Sequence, residues 1–257
     1  MSRALPALTV VLLLVVAGCS GGVQAPEREY SESEVVSLVT EMDQSDADRL
    51  ATVHRQRLAN ASGYVGAYKH TEDGDVAYTR DVLVDRADRQ FVKEWRDGDH
   101  RAGEVFVNAS GEYRRYRTFG EESFQYTVRT GEDAEFTENS TFASAVPLPA
   151  SHVLPNYDFE YVRSDDGLYY FEADGLVEGG GDRTGFPRWN ADEIVNASAR
   201  LVVHEDGYVR GYSVSVTWDN GHWVENTTST LTVKVWGVGD ADAEQPHWVG
   251  EAVVGAS

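Results

Sequence analysis

The stretch ARLVVHEDGYVRGYSVSVTWDNGHWVENTTSTLTVKVWGV, residues 199–238, decides the fold class. Along each of its three arms, apolar and polar side chains alternate with the period of two that a half-buried strand requires. Glu205-Asp206-Gly207 breaks the first pair of arms and Asn220-Gly221 the second, the latter being the dipeptide that a type I′ hairpin prefers. Two hairpins in succession predict a three-strand antiparallel meander. Trp218 and Trp223 flank the second tip, where they either pair across strands or form an exposed aromatic patch, and His222 reads as a turn-flanking residue.

Upstream, the same period recurs in YVGAYKH (64–70), DVAYTRDVLVD (75–85), QFVKEWRD (90–97), GEVFVNAS (103–110), EYRRYRTF (112–119) and FQYTVRT (124–130). Short turn clusters separate the runs, so neighbours are antiparallel. Tyr113, Tyr116, Phe119, Phe124 and Tyr126 make this part rich in aromatics, as cross-strand pairs or as the lining of a concave apolar face. Pro147 and Pro149 interrupt the pattern and predict an irregular crossing over 139–155. YDFEYV and GLYYFEADG then form a hairpin around Ser164-Asp165-Asp166-Gly167. The glycine-rich run 178–190 lacks a Gly-Lys-Ser/Thr ending and reads as a mobile loop, not a phosphate cradle.

Ahead of the strands, SDADRLATVHRQRLANASGY (45–64) has helical spacing, with Ser45 placed to cap it and Leu50, Val53, Arg57, Leu58 and Ala61 near one face. His54 beside that stripe reads as a packed or surface histidine, since no second ligand follows at i+4. Residues 20–44 read as a tether with a short helical stretch at Ser33–Met42, and QPHWV closes the domain. The organisation is therefore 1–18 signal peptide, 19–44 lipidated N-terminus and tether, and 45–257 a single β-rich domain; whether one sheet or two build it stays open.

The chain of 257 residues carries 43 acidic and 22 basic side chains, a net charge of −21, and its lysines are Lys69, Lys93 and Lys234. Such a surface repels nucleic acid and gains no attraction to anionic lipid. It also repels itself, and molar salt screens that repulsion. The composition resembles that of proteins from halophilic archaea.

The first residues address the chain. Arg3 precedes an apolar run from Ala4 to Val16, shorter than the roughly 20 residues that span a bilayer. Val16-Ala17-Gly18-Cys19 resembles the lipobox of prokaryotic lipoproteins, in which the thiol is alkylated by lipid and becomes the mature N-terminus. Each buried CH₂ of an acyl chain contributes roughly 0.8 kcal/mol, so two chains anchor firmly. No twin-arginine pair precedes the apolar run, which favours export unfolded, and no C-terminal apolar span is present, so anchoring rests on Cys19. Five Asn-x-Ser/Thr sequons, at Asn60, Asn108, Asn139, Asn196 and Asn226, agree with an exterior address and are candidate glycosylation sites.

VHRQRLANASGY, YDFEYV, YYFEADG, LVVHEDGYVRGYSV and QPHWVGEA, in this order behind a lipobox, resemble a family of uncharacterised haloarchaeal lipoproteins. More loosely, the order of elements is similar to the half-barrel carriers, the bacterial outer-membrane lipoprotein carrier and the mycobacterial lipid-binding lipoproteins. That resemblance implies an α+β, mainly β fold: a strongly curved antiparallel sheet with one N-terminal helix and a few short helices packed on it. It also implies a lipid-like ligand.

No catalytic constellation stands beside this. The sequence has no Gly-x-Ser-x-Gly elbow and no His-Glu-x-x-His, and its seven histidines show no metal-ligand spacing. Asp240-Ala-Asp242-Ala-Glu244 lacks the pattern of an EF-hand and reads as a solvated acidic loop. The expectation is a non-enzyme without cofactor or metal, held on the extracellular face of the cell membrane through its lipid. Two classes of function follow. One is a binder or carrier of an apolar, lipid-like ligand, with Tyr113, Tyr116, Phe124, Tyr126, Trp218 and Trp223 as contacts. The other is a structural or protein-interaction lipoprotein of the envelope without a ligand cavity. The protein partner is left open.

Overall fold

The structure, a computed structural model, describes residues 29–118, 120–121, 123–131, 154–178, 194–219, 221 and 225–255. Two helices, α1 (Glu32–Thr40) and α2 (Gln44–Asn60), precede a run of eleven strands. These are β1 (Gly63–Glu72), β2 (Asp75–Asp85), β3 (Gln90–Asp97), β4 (Arg101–Asn108), β5 (Gly111–Thr118), β6 (Gln125–Thr130), β7 (Glu160–Asp165), β8 (Leu168–Ala173), β9 (Ile194–His204), β10 (Val209–Trp218) and β11 (Thr227–Trp236). Helix α3 (Trp248–Gly255) follows.

All eleven strands form one antiparallel sheet in the order β6-β5-β4-β3-β2-β1-β11-β10-β9-β8-β7. Two meanders, β1–β6 and β7–β11, meet where β1 pairs with β11 (Tyr68 opposite Val233). The mainly β reading and the antiparallel neighbours hold. The strong curvature does not: the sheet is open, not strongly curled, with β6 and β7 at opposite edges. Packing explains this, because apolar side chains on both faces take helices, so the sheet need not curl around its own contents.

Period-two alternation places Tyr212, Val214, Val216 and Trp218 of β10 beside Leu201 of β9 and Leu231 and Val233 of β11 on one face. That face is covered by Val35 and Val39 of α1 and Leu50, Val53 and Leu58 of α2, all within one buried cluster. Helix α1 therefore corrects the tether. From Tyr30 onward the chain is part of the domain, because Val35, Leu38 and Val39 form an apolar stripe behind a capping box of Ser31 and Glu34. The cap of α2 is also corrected. Asp43, not Ser45, is the N-cap, its Oδ1 accepting from the backbone N–H of Ser45 at 2.7 Å and of Asp46 at 2.9 Å.

The opposite face differs along the sheet. Over β10 and β11 it carries hydroxyl pairs, Ser213 with Thr232, Ser215 with Thr230 and Thr217 with Thr228, at 3.2, 3.0 and 2.9 Å. Over β3–β6 it carries an apolar patch, where Val92, Phe106, Tyr113 and Val128 take Trp248, Val249 and Ala252 of α3, beside the charged row of Glu94, Glu104 and Arg115. The described helices thus lie on both sides of the sheet, and the described residues form two apolar clusters.

Candidate functional site: a basic and aromatic trough

Over β8–β11 the face opposite α1 and α2 carries no helix among the described residues, since α3 lies against β5 and β6. A trough of about 450 Å³ opens there, within the range of small-ligand sites. Its floor is a gap in the side-chain pattern. Gly211 of β10 stands between Val202 of β9 and Lys234 of β11, and Ser213 and Thr232 continue the floor with hydroxyls. The glycine is needed, because a Cβ there would come within 2.8 Å of the Val233 carbonyl oxygen. A register shift between Val209 and Gly211 inserts Arg210 as an extra residue and turns it toward the trough.

Leu168, Tyr170, Val202 and Trp236 supply apolar walls, and Arg200, Arg210 and Lys234 supply charge. Among the described residues no acidic side chain lines the trough, in a chain with about twice as many acids as bases. Arg200 pairs with Glu172 at 3.1 Å, whereas Arg210 and Lys234 have no ion-pair partner among the described residues. Arg163, paired with Asp165 at 3.2 Å, lies 3.9 Å over the Tyr170 ring. Chemically, the trough can hold an anion against an apolar wall.

The contacts expected from sequence are not gathered in one place. Tyr113 is buried between β5 and α3. Tyr126 donates its hydroxyl to Glu251 at 2.9 Å, a bond that pushes the phenol's pKa up. Tyr116 is exposed and donates to Gln125 Oε1 at 2.6 Å, its side chain on the face away from α3. Phe124 lies beneath Arg115 and Arg117 at 4.7 and 5.5 Å. Trp218 is 2% exposed within the main core, so it forms no surface patch. Trp223, Cys19 and Asn139, and most of the glycine-rich run, lie outside the described residues. Asn60, Asn196 and Asn226 are exposed. Asn108 turns its Oδ1 to the backbone N–H of Ser110 and Gly111 at 2.8 and 3.1 Å.

Sequence reasoning missed the trough. Two signals pointed to it: a glycine inside a strand pattern, which marks a close approach or a gap, and Lys234, one of three lysines in an acidic chain.

Two other clusters carry charge. Asp81, Glu94 and Glu104 stand opposite one another on β2, β3 and β4, in a groove of about 360 Å³. Burial pushes the Asp81 and Glu94 carboxyls up, and at Glu94 the charges of Glu104 and Asp81 add to it. The row offers proton transfer and ion pairing, but its groove is lined by no Ser, Cys or His. Asp85, Asp88 and Asp242 bring one carboxylate oxygen each within 4.8 Å of the others. Buried Asp85 is already engaged, accepting from the backbone N–H of Asp88 at 3.0 Å and of Ala243 at 3.4 Å. It ties the segment before α3 to the β2–β3 turn.

Among known families, one of unknown function, DUF7537, matches residues 4–252. The chain belongs to DUF7537. No curated protein matches it. Solved structures that resemble it include the crystal structure of the di-domain ARO/CYC StfQ from the steffimycin biosynthetic pathway, at 10% identity over 77% of this chain and 80% of that one. The TM-score of that comparison is 0.16, too low to bear on fold or function. Membership in DUF7537 thus brings no activity with it. Among the described residues no helix is long and apolar enough to cross a membrane.

Proposed function

We propose that this DUF7537 member is a non-catalytic lipoprotein of a halophile's outer cell surface, anchored through Cys19, that binds an anionic, lipid-like ligand. The observation that carries the reading is the trough: three cations, of which Arg200 is paired with Glu172, beside apolar walls, on a sheet face that no helix covers among the described residues. A carboxylate or phosphate meets Arg210 and Lys234, and an attached chain lies along Tyr170, Val202 and Trp236. The ligand sits on the sheet, not inside a curled half-barrel, and so exchanges without opening the core.

The test is a titration of the full chain with short-chain, monomeric phosphatidic acid in molar salt. Lys234→Glu combined with Arg210→Glu is expected to abolish binding while the melting temperature stays unchanged. Arg117→Glu, which alters net charge elsewhere on the sheet, is expected to bind like the parent protein. Equal binding by the double variant overturns the site.

The anchor has its own test. Cys19→Ser is expected to release the protein from membranes into the medium, and the parent's mature N-terminus is expected to carry the mass of an alkylated cysteine. An unmodified Cys19 overturns the anchor.

One observation favours the second reading, an envelope interaction lipoprotein. Strands β6 and β7 leave both edges of the sheet open among the described residues, and an open edge can accept a partner's strand. That reading gains if the parent protein ignores the amphiphile but pairs with an envelope protein in a way that proline at Val162 of β7 disrupts.

A further inference from the structure

Strand connectivity gives the trough an orientation. Tyr30 donates its backbone N–H to Glu205 O at 3.0 Å, and its ring lies against Gly207, where a Cβ would come within 2.6 Å. The chain therefore enters the domain at the β9–β10 turn. The trough lies at the same end: Leu168 opens β8, Arg210 follows the first residue of β10, and Trp236 closes β11. Nine residues lie between Cys19 and Glu29, and the ten Cα–Cα steps reach at most about 35 Å when fully extended. An anchor on Cys19 keeps this end of the sheet, which the start of β1 and the β2–β3 turn share, near the bilayer.

We infer that the trough docks on the membrane that carries the anchor, its occupant being the anionic headgroup of a bilayer lipid. The inference rests on the ligand reading above and names the source of that ligand. Three features support it. Trp236 and Tyr170 are side chains of the kind that settle at the level of lipid headgroups, with an apolar body and a polar edge. Arg210 and Lys234, with no ion-pair partner among the described residues, can meet phosphate. Salt supplies the third: at about 1 M the Debye length is near 3 Å, so the net charge of −21 no longer repels an anionic surface at a distance. Ion pairs in direct contact persist, and those are what the trough offers. The protein then lies with the β8–β11 end of its sheet on the bilayer and α3 on the same face further along.

The experiment uses the lipidated full chain reconstituted in molar salt into vesicles of phosphatidylglycerol or of phosphatidylcholine. Reaction of Lys234 with an amine reagent is followed by peptide mass spectrometry. Lys93, half-buried on β3, is the internal control. The same reaction is run on detergent-solubilised protein with and without short-chain phosphatidic acid. Docking predicts that Lys234 reacts several-fold more slowly in phosphatidylglycerol vesicles than in phosphatidylcholine, with Lys93 unchanged. Arg210→Glu is expected to restore much of the lost reactivity. Protection by the short-chain lipid without protection in either vesicle overturns docking and leaves the ligand reading standing. Equal protection in both vesicles overturns recognition of the anionic headgroup. No protection under any condition overturns both.

Discussion

Trp248→Ala is expected to lower the unfolding free energy by about 3–5 kcal/mol, the usual cost of emptying a large aromatic site. Trp248 is 1% exposed, packs with Phe106 and Tyr113, and is the main side chain that α3 places on the sheet. Its Nε1 also donates to Glu104 Oε2 at 2.6 Å, and Glu104 is ion-paired with Arg115, whose guanidinium lies 5.1 Å from the indole. The variant empties the second core and takes one donor from a half-buried carboxylate. Trp248→Phe separates the two effects, since it keeps most of the apolar contact and loses the bond to charge, worth roughly 1.5–3 kcal/mol. Urea unfolding at constant salt measures both. Amide exchange should show β5 and β6 opening first, because α3 covers them and holds Tyr126 through Glu251. A loss under about 1 kcal/mol in the alanine variant would mean that burying this indole does little for stability.

The second large effect is on acid stability. His54 on α2 is 1% exposed, tilted against Tyr208 at 6.3 Å between ring centroids. Burial lowers its pKa from 6.5 to about 3; the Val209 backbone opposes the shift and the charge of Arg55 adds to it. The folded protein therefore holds the imidazole neutral where the unfolded chain protonates it. Between pH 6.5 and about 3 the unfolded state binds more protons, so stability rises with pH across that window and is complete above it. Each unit well below pH 6.5 costs about 1.4 kcal/mol from this group. Relative to a His54→Leu variant, the parent protein is expected to lose about 2 kcal/mol between pH 6.5 and 4.5. The comparison cancels the carboxylates, which titrate in both. Parallel stability curves for the two proteins over that interval would show that His54 is not buried in its neutral form.

Strand pattern was legible because period two is a local property. DVAYTRDVLVD and QFVKEWRD match β2 and β3 residue for residue, and the closing meander appears as β9, β10 and β11. The helix read over 45–64 appears as α2, Gln44–Asn60, and His54 is buried on it. Helix α1 was read as part of a tether because nine residues with two glutamates in the first turn look solvated on their own. Its three apolar side chains matter only once β7 and β8 present a surface for them.

The trough was harder to see. Tyr170, Arg200, Gly211 and Lys234 lie on four strands and come together only through register, Gly211 facing Val202 on one side and Lys234 on the other. A sequence shows each strand's two faces but not which faces align across neighbours, nor which one a helix will cover. Tyr113 and Trp218 illustrate the same gap, since both suited an exposed ligand surface until α3 and the helical layer buried them.

By itself, then, the sequence determined the strands and turns, the acidic surface, and the motifs on which the address is argued, because each depends on neighbours a few residues apart. The tertiary structure decided that two meanders join into one open sheet through β1 and β11, with helices on opposite faces. It also decided where an acidic protein gathers Arg200, Arg210 and Lys234, because that depends on pairing between residues far apart in the chain, which local alternation leaves unspecified.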